Sequence, residues 1–93
     1  MAKRAHILLT GDVDGTDYRF FLQQKAQELG LKGFIHKIAT GHMEAIIEGK
    51  TNSVDEYIRF INKGVNFQAN SNKFTVEIFD TLLGYTTLKA ELV

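Results

Sequence analysis

The stretch Leu9-Thr10-Gly11-Asp12-Val13-Asp14-Gly15-Thr16-Asp17-Tyr18-Arg19 decides how the rest of the chain is read. It leaves an apolar run, Ile7-Leu8-Leu9, that reads as a short buried strand. It enters a helical pattern, and Gly11 and Gly15 separate the two elements. Backbone N–H groups of a glycine loop between a strand and a helix converge on one point, where the helix dipole adds partial positive charge. Arg19 contributes a planar fork of donors that matches a phosphoryl or carboxylate group. The stretch reads as an anion cradle formed by Gly11, Val13, Asp14, Gly15, Thr16, Asp17, Tyr18 and Arg19.

Working outward, His6 to Thr10 is the first expected strand. A helix is expected from Thr16 or Asp17, either able to cap it, to Leu29, with Leu22, Ala26 and Leu29 on one face and Gly30 closing it. Gly33 to Ala39 and His42 to Glu48 read as antiparallel strands joined by Thr40-Gly41. Ser53-Val54-Asp55-Glu56 has the form of a capping box, followed by a helix with Val54, Tyr57, Ile58 and Ile61 on one face and a stop near Gly64. Val65 to Asn72 is polar and irregular. Lys73 to Asp80 alternates as a fourth strand, with Phe74, Val76 and Ile78 on one face, and Thr86 to Leu92 reads as an edge strand or extended tail.

The order β-α-β-β-α-β predicts an α+β fold, the ferredoxin-like split β-α-β sandwich, with two helices on one face of a four-stranded antiparallel sheet. With 93 residues the chain has room for one domain, spanning 1–93. Zero formal net charge favours neither nucleic acid nor an anionic membrane. The absence of cysteine excludes disulfides and thiolate chemistry. Met1 to His6 lacks the apolar core of a signal peptide, and no run reaches spanning length, so a cytoplasmic location is expected.

The glycine stretch resembles the first signature of the acylphosphatase family: an aliphatic residue, any, Gly, any, Val-Gln-Gly-Val, any, Phe, Arg. Leu9, Gly11, Val13, Gly15 and Arg19 match, and Tyr18 nearly matches. Asp14 stands in place of Gln, and Thr16 in place of Val. Gly33-Phe34-Ile35-His36-Lys37, then Gly41 after three residues, Met43 in place of Val, and Gly49 are similar to the second signature. Leu29-Gly30-Leu31, Glu44-Ala45, Glu48-Gly49 and Gly84-Tyr85 follow in family order. The resemblance implies a hydrolase of carboxyl-phosphate bonds, working without a cofactor or metal. It implies that the loop amides and Arg19 hold the phosphoryl group of an acyl phosphate, or inorganic phosphate or another small anion.

In the family an asparagine at the end of the second strand positions the attacking water, and Lys37 takes that position here. An ammonium donates hydrogen bonds but accepts none, so it cannot hold a water as an amide does. Asp12, Asp14 and Asp17 also surround the single Arg19. At an effective dielectric near 20 and a spacing of about 6 Å, each like-charge approach of an anion costs ~3 kcal/mol before screening. Impaired or lost hydrolysis is the expectation from Lys37 and Asp14. An active enzyme with Lys37 as charge stabiliser is one alternative; a non-catalytic anion-binding or protein-interaction domain is the other. A solvated Lys37 is expected to pair across the hairpin with Glu44.

Other chemistries fare worse. Asp12-x-Asp14-Gly15-x-Asp17 places its glycine fourth rather than sixth and lacks an acid at the twelfth position of a calcium loop. His6, His36 and His42 lack metal-ligand spacing. The seven phenylalanines suit an RNA-stacking sheet, but the module's basic-aromatic motif is absent, and most of these rings are expected in the core. A monomer binding no nucleic acid and no membrane is expected.

Overall fold

β-branched and leucine-rich runs with alternating burial build the centre of the molecule. The computed structural model describes residues 1–11, 16–63 and 73–90. The elements are β1 (Ala2–Thr10), α1 (Thr16–Glu28), β2 (Lys32–Ala39), β3 (His42–Lys50), α2 (Thr51–Lys63), β4 (Lys73–Phe79) and β5 (Leu88–Ala90). They form the expected α+β sandwich, with two corrections to its outline. The closing segment forms an edge strand, β5, one of its two expected forms, so the sheet has five strands rather than four, in the order β4-β1-β3-β2-β5, and β5 runs parallel to β2. The expected irregular segment 65–72 and the helix stop at Gly64 lie outside the described residues, as do 91–93.

Alternation assigns the two faces. Ala5, Ile7 and Leu9 of β1, Met43, Ala45 and Ile47 of β3, and Ile35 of β2 are fully buried on the helix side. Tyr18, Leu22 and Ala26 of α1, Leu31, and Val54, Tyr57 and Ile61 of α2 complete this core. α1 lies over β2 and β5, and α2 over β1 and β3. The Tyr57 hydroxyl donates to the Leu22 carbonyl at 3.0 Å and so joins the two helices inside the core. Burial pushes the Tyr57 phenol well above its usual pKa, and Tyr18 adds to the rise.

Gly30 ends α1 as expected, at φ +72°. The Gly30 amide donates to the Gln27 carbonyl and the Leu31 amide to the Ala26 carbonyl, the paired bonds of a left-handed helix stop. The second helix corrects the capping-box reading, because it starts at Thr51, two residues before Ser53. β3 runs directly into it, and the Thr51 amide is satisfied by the distant Met1 carbonyl rather than by a local side chain.

The phenylalanines are a further correction. None of the six described rings is among the buried core residues, and Phe20 and Phe21 are 53% and 36% exposed on the outward side of α1. Phe34 and Phe79 stand on the uncovered sheet face, where Phe34 stacks on His36 and Phe79 meets Arg4 and His6. Only Phe60 and Phe74 pack against the core, and they do so at its margin.

The segment between β4 and β5 crosses from one edge of the sheet to the other. Glu48, only 4% exposed, holds it by accepting the amides of Leu83, Gly84 and Tyr85 at 2.7, 2.9 and 3.0 Å. Arg4 sits opposite Glu48 on β1, with its guanidinium 4.5 Å above the Phe79 ring. Gly33 admits no side chain, because a Cβ there would lie 1.9 Å from the Ile46 carbonyl oxygen. Its amide donates to the Thr87 carbonyl where β5 begins.

Candidate functional site

Strand direction decides which residues meet at one end of the molecule. β1 is antiparallel to β3, and β3 to β2, so β1 and β2 end on the same side. α1 opens at Thr16, five positions after Gly11, and its first turn therefore lies at that side too. Gly11 and Arg19 and the last residues of β2 are thus gathered there, while the Glu48 anchor is at the opposite end of the sheet.

The entry to the loop is fixed by backbone. Gly11 has φ +115°, which favours glycine, and its amide donates to the Gly41 carbonyl at 3.0 Å. Gly41 turns the β2–β3 hairpin at φ +77°, and a Cβ there would approach the Gly11 carbonyl oxygen to 3.3 Å. Val13, Asp14 and Gly15 of the expected cradle, with Asp12, lie outside the described residues. Thr16 and Asp17 form the start of α1 as backbone.

Tyr18 and Arg19 follow in the first turn. Tyr18 is 3% exposed and belongs to the core. Arg19 is half-buried, and its Nε is buried without a hydrogen-bond partner among the described residues. An unsatisfied buried donor of a cationic group is costly, so this nitrogen marks capacity for an acceptor.

Lys37 is where the structure departs most from the sequence reading. A two-residue turn at Thr40-Gly41 in regular register would set Lys37 opposite Glu44. A bulge at Ile38 shifts the pairing instead, so that Ala39 faces His42, Lys37 faces Met43 and His36 faces Glu44. The expected Lys37–Glu44 pair is therefore absent, and Glu44 meets His36 Nε2 at 2.8 Å on the uncovered face. Lys37 is half-buried and shares the helix-covered face with Met43 and Leu9, which form one row across three strands. Adjacent strands lie ~4.8 Å apart, which puts the Lys37 backbone roughly 10 Å from Leu9, at the foot of the loop.

The bulge was missed by sequence reasoning, because nothing in Ile38 itself signals one. Among the described residues no group of three His, Cys, Asp or Glu side chains is placed to hold a metal ion. His42 Nδ1 lies 3.1 Å from the Thr40 carbonyl, within its own turn. No described helix is long and apolar enough to cross a membrane.

Comparison with known proteins gives a consistent result. The family model for acylphosphatase matches residues 5–84. An acylphosphatase of Caldanaerobacter subterraneus is 35% identical over 72 residues, 77% of this chain and 80% of that protein. Among solved structures, an acylphosphatase from Coxiella burnetii superposes with a TM-score of 0.84 at 22% identity, covering 97% of this chain and 93% of the other. The acylphosphatase from Bacillus subtilis gives 0.78 at 21%, covering 98% of both chains.

Proposed function

The chain belongs to the acylphosphatase family, and from that premise we propose that it binds acyl phosphates through Arg19 and the loop amides and hydrolyses them slowly. The buried Nε of Arg19 in the first turn of α1, without a hydrogen-bond partner among the described residues, is the observation that carries this reading. A phosphoryl oxygen would satisfy that donor and gain a charge-assisted hydrogen bond, with the helix N-terminus adding to the attraction.

In hydrolysis a water oxygen attacks phosphorus and the bond from phosphorus to the acyl oxygen breaks, releasing a carboxylate and phosphate. The leaving group is a weak base and needs little help from an acid. Positioning of phosphate and water therefore dominates the catalytic demand. Arg19 meets the first requirement. Lys37, standing at the family's asparagine position, serves the second poorly, because its ammonium has no lone pair to accept a hydrogen from water. By the family resemblance, Asp14 adds a negative charge to the phosphate loop in place of Gln, and Thr16 replaces an apolar family residue.

A second reading rests on the bulge at Ile38. Lys37 lies on the helix-covered face at the loop end, so a phosphoryl group held there would sit near its positive charge, which would offset part of the loss.

The test is hydrolysis of acetyl phosphate by the unmodified protein beside Arg19→Ala and Lys37→Asn. Slow turnover that Arg19→Ala abolishes and Lys37→Asn raises is the expected result. Turnover untouched by Arg19→Ala would remove Arg19 from the site and overturn the proposal.

A further inference from the structure

The long edge of the sheet is β4, which pairs with β1 on one side and with no strand among the described residues on the other. A free strand edge offers a row of N–H and C=O groups on which another strand can form. Such edges are commonly blunted by proline or by charged side chains; β4 has no proline, and its two charges are opposite in sign. Lys73 and Glu77 lie two positions either side of Thr75, carry opposite charges, and are exposed on the uncovered face. Phe74, Val76 and Ile78 alternate with them on the helix face, and Ile78 is 45% exposed.

This spacing is self-complementary under one operation. A two-fold axis perpendicular to the sheet, passing beside Thr75, places Lys73 of each copy opposite Glu77 of the other. It also sets Phe74 opposite Val76 and Thr75 opposite Thr75. Opposite charges facing across antiparallel strands stabilise the pair, and like charges destabilise it. An axis at Glu77 would set two carboxylates face to face, while one at Val76 would set Lys73 against Phe79. The helices of both copies remain on one side, so the two sheets become continuous without a clash of layers.

We propose that β4 pairs antiparallel with β4 of a second copy of this chain about a two-fold axis at Thr75. A single strand edge buries much less than the ~1,600 Å² of a standard stable interface, so the dimer is weak and reversible. The monomer expected from the sequence is then the form present in dilute solution.

The native chain has no cysteine, so Thr75→Cys introduces a unique thiol. Directly opposed Cα atoms in antiparallel strands are about 4.5–5.5 Å apart, within disulfide range. In the same register two Val76→Cys positions would lie roughly 8 Å apart, beyond it. Mild oxidation should give a covalent dimer of Thr75→Cys at least tenfold faster than of Val76→Cys. Sedimentation of the unmodified protein over rising concentration should show its 10.5 kDa species converting to one of twice that mass. Lys73→Glu should abolish this conversion, and Lys73→Glu with Glu77→Lys should restore it. A protein that stays monomeric at the highest soluble concentration overturns the proposal. Preferential cross-linking at Val76, or a dimer indifferent to Lys73→Glu, overturns it equally.

Discussion

The Gly11 amide donates to the Gly41 carbonyl across 3.0 Å, fastening the mouth of the glycine loop to the turn of the β2–β3 hairpin. The anion loop and the strand that carries Lys37 are thereby referred to one another through backbone alone. Gly41→Ala should strain a left-handed turn and press a methyl group toward the Gly11 carbonyl, costing about 1–2 kcal/mol. A urea unfolding curve would register that loss, and an inorganic phosphate titration should weaken with it. An unchanged midpoint would show that the turn relaxes without cost.

Restoring the family pattern with Lys37→Asn should raise kcat for acetyl phosphate by roughly 10²-fold, the usual scale of recovered positioning. Adding Asp14→Gln should lower KM by removing a charge from the loop. If neither change, alone or combined, moves the rate, the disabling feature lies elsewhere.

Glu48 gathers three backbone amides of the segment joining β4 to β5. Glu48→Gln would replace one acceptor oxygen by an amino group facing N–H donors, and roughly 2–3 kcal/mol should be lost. Amide exchange at Leu83, Gly84 and Tyr85 should accelerate before the rest of the sheet opens. Uniform acceleration across the whole sheet would instead mean that the segment has no independent opening.

Tyr57→Phe should cost about 1–2 kcal/mol, because the Leu22 carbonyl loses its donor inside the core. A pH effect accompanies it. Burial holds the Tyr57 phenol protonated in the folded state, so its pKa is raised relative to the unfolded chain. The stabilisation is complete below about pH 10, where the unfolded phenol begins to ionise, and is lost as pH rises further. The stability difference between the unmodified protein and Tyr57→Phe should therefore shrink on the alkaline side. A difference constant with pH would contradict a protonated, buried phenol.

Much of this architecture is legible in local sequence. The hairpin, the first helix with its Gly30 stop, and the alternation of β1 and β3 all depend on neighbours within a few residues. What escaped depends on distant partners. The start of α2 at Thr51 relies on the Met1 carbonyl, and the Glu48 anchor relies on amides more than thirty positions away. The expected Lys37–Glu44 pair fails because a single extra residue, Ile38, inverts the parity of everything before it. The chemistry of the site was easier to read than its orientation. Residue types announce donors and charges, whereas a bulge leaves no mark in composition.

The strand order also bears on how the chain reaches this state. β1 lies inside the sheet, between β3 and β4, and Thr10 meets Lys73 across 63 positions of sequence. β1 is thus among the last strands to have both edges covered. Contacts so remote in sequence slow folding, and an open apolar edge invites association meanwhile. During synthesis the backbone edge of β1 that β4 covers would need shelter from other nascent chains until β4 arrives.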